Sequence, residues 1–206
     1  MKGSRIKILR NRVAQEAALL LYTNQEQEYK QAKKRAAINL GTRIFPSNFE
    51  VAEELDKISE QREGLKRKEL LLRMRTEAKE IMEILKEFNP RLVGSVWRGT
   101  VHQNSDIDIH AFSQDNKEIF EKLQKQKYKI NNSGWRSITK DGKKESSFHI
   151  NIILSSNDII EISVRSLDSL GILEKCEIYG DKKTGLNLKQ LKGVLNENPL
   201  QKFLPH

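Results

Sequence analysis

The sequence changes character at Asn89-Pro90. Before that point apolar residues recur every three to four positions; after it, short β-branched runs alternate with polar residues, the period of a strand with one buried face. Such a chain places helices first and a sheet second. The expected fold class is therefore α+β, a helical N-terminal region followed by a small mixed, mainly antiparallel sheet. Helical periodicity covers residues 6–40 with a break near Thr23-Asn24, then residues 49–63, introduced by the capping box Ser47-Asn48-Phe49-Glu50. A third long helix is expected over residues 65–88, where Leu71, Met74, Ala78, Ile81, Met82 and Leu85 form one stripe. Strands are expected at 91–93, 106–112, 128–139, 146–154 and 159–164, the last three as antiparallel hairpins with turn residues at Asp141-Gly142 and at 156–158. Residues 114–125 and 188–196 read as short helices.

Composition narrows the setting. Charged residues make up 32% of the 206-residue chain and the net charge is +9. Residues 1–45 carry ten Lys/Arg against three Glu, a bias that suits either a solvated helix surface or contact with a polyanion. Cys176 is the only cysteine, which excludes an intrachain disulfide and a thiolate zinc site. No apolar run approaches the roughly 20 residues of a membrane span, so no membrane partner is expected, and the setting is read as cytoplasmic.

Against this background the stretch VGSVWRGTVHQNSDIDIHAF, residues 93–112, is anomalous. Aspartate is depleted in strands, yet Asp106 and Asp108 flank Ile107 in the second run and project to one face. Two such carboxylates repel and raise one another's pKa unless a cation intervenes. A pair of Mg²⁺ (or Mn²⁺) ions about 4 Å apart answers that need, and suits in-line attack on a nucleoside triphosphate. Upstream, Gly94 exposes backbone N–H groups to a phosphate, Ser95 adds a hydroxyl, and Arg98 stands one turn on as a charge clamp. Ser105 either binds phosphate or shapes the turn. His110 shares the aspartate face, and His149 and Asn151 share the polar face of their strand, but oxygen-preferring Mg²⁺ gives these imidazoles no first claim as ligands. Trp97 is expected to pack the turn against the sheet rather than stack on a base.

An apolar residue, Gly-Ser, a ten-residue spacer and an Asp-x-Asp between apolar residues resembles the signature of DNA polymerase β-like nucleotidyltransferases. The longer string GSVWRGTVHQNSDIDI is similar to that of archaeal-type CCA-adding enzymes and minimal nucleotidyltransferases. The resemblance implies Asp106 and Asp108 as metal ligands and a third carboxylate on a neighbouring strand. Glu161, between Ile160 and Ile162, fits that place as catalytic and metal-binding residue, although Asp is the usual residue there. Gly94, Ser95, Arg98, Ser105 and Arg165 become the nucleotide-binding set. Residues 1–88 become a helical region expected to bind the acceptor, and residues 89–206 the nucleotidyltransferase domain. The implied reaction moves a nucleoside monophosphate from an NTP, with ATP the first expectation, to an acceptor hydroxyl, first of all on RNA. The alternatives are AMP transfer to a protein, a small-molecule acceptor, and a non-catalytic nucleic-acid-binding module of the same fold.

Overall fold

The computed structural model describes residues 2–140 and 143–205. Helices α1 (Lys2–Tyr22), α2 (Tyr29–Asn39) and α3 (Asn48–Glu63) form one lobe. The chain turns between α1 and α2 at Asn24, whose φ of 55° is a conformation asparagine tolerates better than most residues. The Ser47 capping box is present: Glu50 N–H donates to Ser47 Oγ, and the Glu50 carboxylate accepts from Ser47 N–H at 2.7 Å. The lobe's core is largely alanine. Ala14, Ala17 and Ala18 of α1 meet Ala32, Ala36 and Ala37 of α2, all buried, with Val51 and Leu55 of α3 against them. Such small side chains let helix axes approach closely.

Helix α4 (Leu65–Ile84) follows at Gly64, and a 3₁₀ turn (Lys86–Phe88) and Asn89-Pro90 close it. Periodicity extended this helix to residue 88, but the last turn tightens. The sequence reading also grouped α4 with the N-terminal helices. Its buried stripe, Leu71, Met74, Ala78, Ile81, Met82 and Leu85, instead belongs to the core of the sheet lobe.

That lobe holds β1 (Arg91–Val93), α5 (Gly94–Arg98), β2 (Ile107–Phe112), α6 (Asn116–Lys125), β3 (Lys129–Lys140), β4 (Lys143–Ile153), β5 (Ile159–Arg165), β6 (Leu186–Asn187) and α7 (Leu188–Glu197). Among the described residues the sheet order is β3-β4-β5-β2-β1-β6. The hairpins β3–β4 and β4–β5 are antiparallel as expected, and β5 returns beside β2 in parallel. The Asp141-Gly142 turn lies outside the described residues. The two-residue β6 has no sequence signal of its own and is held by β1. Ile107, Ile109, Ile150, Ile152, Ile160 and Ile162 point to the helices and are fully buried, so the alternating polar residues line the other face.

The lobes are tied by buried charge. Arg67 of α4 donates to Val101 O at 2.6 Å and pairs with Asp56 and Glu60 of α3. Asn104 Nδ2 donates to Tyr22 O at 2.8 Å at the end of α1. No helix of the described residues is long and apolar enough to cross a membrane.

Candidate active site

One row of side chains crosses the polar face. Val93 faces Asp108, Asp108 faces Glu161, Glu161 faces Asn151, and Asn151 faces Asn132, each pair being backbone partners on adjacent strands. The row thus runs from the Gly94 turn at one end to β3 at the other.

Asp108 lies in its first half; Asp106, expected at the start of the strand, just precedes β2 and lines the same cleft. Burial pushes both pKa values up, and each feels neighbouring carboxylates; that of Asp108 rises to about 8, first through burial and then through Asp106 and Glu161. Neither forms an ion pair among the described residues. The nearest relief for Asp108 comes from Lys183, which lowers its pKa slightly without bonding to it. Gly94 abuts this carboxylate with a φ of 68°; a Cβ there would overlap Asp108 Oδ2 and stand 2.9 Å from its Cγ. Glycine is therefore required by the acid itself, besides leaving the turn's N–H groups open.

Glu161 is differently placed. Its carboxylate accepts from Arg136 Nη1 at 2.9 and 3.1 Å and meets the Nδ1 side of His149. His149 Nε2 is 2.8 Å from Ser147 Oγ, completing a polar chain on β4. His110 lies on the aspartate face; desolvation first, then Arg165, push its pKa down to about 3, so the ring is neutral.

The arginines expected on phosphate are engaged elsewhere. Arg98 is buried, forms a bidentate pair with Asp181 at 2.6 and 2.8 Å, donates to Phe203 O at 2.9 Å, and lies between the Trp97 and Tyr179 rings. Arg165 leaves β5 beside Phe112, four residues past Glu161, and pairs with Glu174 at 2.6 Å; neither Arg165 nor Glu161 is among the residues lining the cleft of Asp106 and Asp108. Ser105 shapes its own turn, its hydroxyl accepting from His102 N–H at 3.0 Å. Ser95 lines the cleft beside Gly94. Trp97 packs at 4% exposure; Trp135, at 67%, is set edge to face on Phe148 on the opposite face from Glu161.

The turn is braced from behind. Arg75 of α4 is completely buried and donates to four carbonyls: Val96 and Trp97 of α5, and Pro199 and Gln201 beyond α7. Phe203 N–H donates to Arg98 O at 2.9 Å, and a Cβ on Gly99 would stand 2.9 Å from Gln201 O. The C-terminal segment therefore fixes the turn that carries Gly94.

A cleft of about 710 Å³ opens in front, walled by the sheet on one side and by Tyr29, Leu55 and Asp56 of the helical lobe on the other. Its lining includes Cys176, Tyr179 and Lys183, residues that sequence reasoning missed. They lie between β5 and β6 in a segment with neither period, and only the Lys182-Lys183 pair offered a signal. Among the described residues no three acidic, His or Cys side chains converge as a ready metal site. The donor set still fits a divalent cation: two desolvated, mutually repelling carboxylates without a paired cation supply hard oxygen ligands.

Residues 75–156 match the family model described as nucleotidyltransferase domain. No curated protein matches the sequence. Among solved structures, a cytoplasmic RNA terminal U-transferase is similar at 14% identity and a TM-score of 0.35, over 47% of this chain and 29% of that one. Cid1 in complex with the UTP analog UMPNPP is similar at 13% identity and a TM-score of 0.33, over 58% of this chain and 38% of that one.

Proposed function

We propose that this chain, whose residues 75–156 match the nucleotidyltransferase-domain model, transfers a nucleoside monophosphate from an NTP to the terminal hydroxyl of RNA. The observation that carries the reading is the contact between Gly94 and Asp108: a phosphate-accessible turn pressed without a Cβ against an unpaired, desolvated carboxylate. Asp106 and Asp108 would hold Mg²⁺ or Mn²⁺, which when bound supplies positive charge to offset that developing on the transferring phosphoryl group.

The chain's own residues divide the remaining work. Gly94 and Ser95 receive the triphosphate at the β1 end of the row, with Lys183 adding positive charge beside Asp108. Glu161 receives the acceptor hydroxyl's proton, with His149 and Arg136 holding its carboxylate in place. The acceptor oxygen bonds to the α-phosphorus as the bond to the β-phosphate oxygen breaks, and pyrophosphate leaves with the electron pair. Arg98 lines the cleft but is committed to Asp181 and Phe203 O, so it holds the turn rather than the substrate. RNA is favoured as acceptor by the excess of ten Lys/Arg over three Glu in residues 1–45, carried by the helical lobe outside the cleft lining.

The test is incubation with each of four α-labelled NTPs, Mg²⁺ or Mn²⁺, and total RNA. Label in RNA is the expected result, and the strongest signal identifies the base. Label on protein alone would move the acceptor to a protein hydroxyl; no label in any product would end the enzymatic reading.

A further inference from the structure

In-line transfer fixes directions. With pyrophosphate leaving toward Gly94, the attacking hydroxyl must arrive from the opposite end of the row, over Glu161 and the strands beyond it. The next residue there is Asn151, the backbone partner of Glu161, and the next is Asn132. Asn151 Nδ2 donates to Asn132 Oδ1 at 2.6 Å, whereas Asn151 Oδ1 is buried with no hydrogen-bond partner among the described residues. A buried amide oxygen left unpaired is costly, and such an atom in a native fold calls for an explanation. The position is also built. A β-bulge between Ile130 and Asn132 shifts the β3 register and brings Asn132 opposite Asn151; bulges of this kind re-aim side chains beside active sites.

We infer that Asn151 reads the hydroxyl adjacent to the reacting one, so that the acceptor is a ribose end carrying a 2′,3′-cis-diol. The inference rests on the nucleotidyl-transfer reading above and deepens it. A ribose places two hydroxyls about 2.8 Å apart, an ordinary hydrogen-bond length. With the 3′-hydroxyl at Glu161, the 2′-hydroxyl points one strand further on, roughly 4.8 Å across the sheet, where it donates to Asn151 Oδ1. The Asn151 Nδ2 donation to the exposed Asn132 is kept, since the 2′-hydroxyl uses the other end of the amide, Oδ1. A 2′-deoxy end or a protein hydroxyl offers no second donor, and leaves the amide oxygen as it stands.

The experiment compares incorporation into three oligonucleotides of one sequence, ending in ribose, 2′-deoxyribose and 2′-O-methylribose. The wild-type chain is expected to prefer the ribose end about tenfold over both others, the worth of one buried hydrogen bond to a site built for it. The 2′-O-methyl end fails with the deoxy end because it accepts but cannot donate. In N151A, with folding checked by circular dichroism, the ratio should narrow to within about twofold. Equal use of all three ends by the wild type, or an N151A ratio like that of the wild type, would overturn the assignment while leaving nucleotidyl transfer intact. Failure to label any of the three ends would sink the transfer reading, and this inference with it.

Discussion

Two titratable groups on either side of one turn, both perturbed by desolvation, receive opposite treatment. Arg75 behind the turn donates to four carbonyls and touches no carboxylate; Asp108 in front of the same turn faces other carboxylates and has no paired cation. Burial depresses the Arg75 pKa to about 10 and raises that of Asp108 to about 8, yet only the arginine is satisfied by the chain itself. The difference separates architecture from function. Arg75 is completed by the fold itself, whereas Asp108 is not, the pattern expected where a group is kept for a ligand.

The comparison can be broken most decisively at Asp108. D108A should lower transfer about a thousandfold or more while leaving circular dichroism and oligomer profile unchanged. Turnover retained within tenfold would refute the ligand role. G94A comes next. The added methyl drives the turn off the Asp108 carboxylate and strains a left-handed backbone, so NTP affinity should fall at least about tenfold by calorimetry, with modest loss of stability. On the other side of the turn, R75M leaves four carbonyls without their donor and should cost about 3–5 kcal/mol in urea unfolding. A cost near zero would mean that the C-terminal segment does not brace the turn.

The sign of the pH dependence sharpens the contrast. Asp108 has a folded-state pKa above its unfolded value, so its contribution to stability is complete below about pH 4 and is lost as pH rises through about 8. Metal-free protein should therefore lose Tm across that window, and D108N should flatten the slope. Divalent metal should bind more tightly as pH rises, releasing close to one proton per ion below about pH 8, measurable in buffers of different ionisation enthalpy. The smallest effect is expected for K183M, which removes the weak positive influence on Asp108 and should shift the metal-binding pH profile upward by a fraction of a unit. A downward shift would place the lysine elsewhere.

Much of this was legible in the sequence, for reasons that differ by element. Strands β2 to β5 declare themselves because isoleucine alternates with polar residues against one helical layer, and the same alternation correctly sends Asp106, Asp108 and Glu161 to one face. The Ser47 cap was legible because its chemistry is local. The packing of helix α4 on the sheet was not legible, because an amphipathic stripe tells how much surface is buried but not against which partner. Arg98 shows a similar limit. Its spacing from Gly94 suits a phosphate clamp, but Asp181, which claims it, is 83 residues distant, in a segment whose backbone follows no period. The reason for Gly94 was half visible, since close phosphate approach can be argued from one glycine whereas the Asp108 contact depends on the β1–β2 register.

That register has a consequence for folding order. Asp108 of β2 and Glu161 of β5 meet through a parallel junction, with α6, β3 and β4 between them in the chain. Contacts so distant along the chain form late, at the end of a long loop closure. A partly assembled molecule can therefore hold helices, hairpins and even the glycine turn while its acids remain in separate neighbourhoods. The facing of Asp108 and Glu161 arrives only with that last seam.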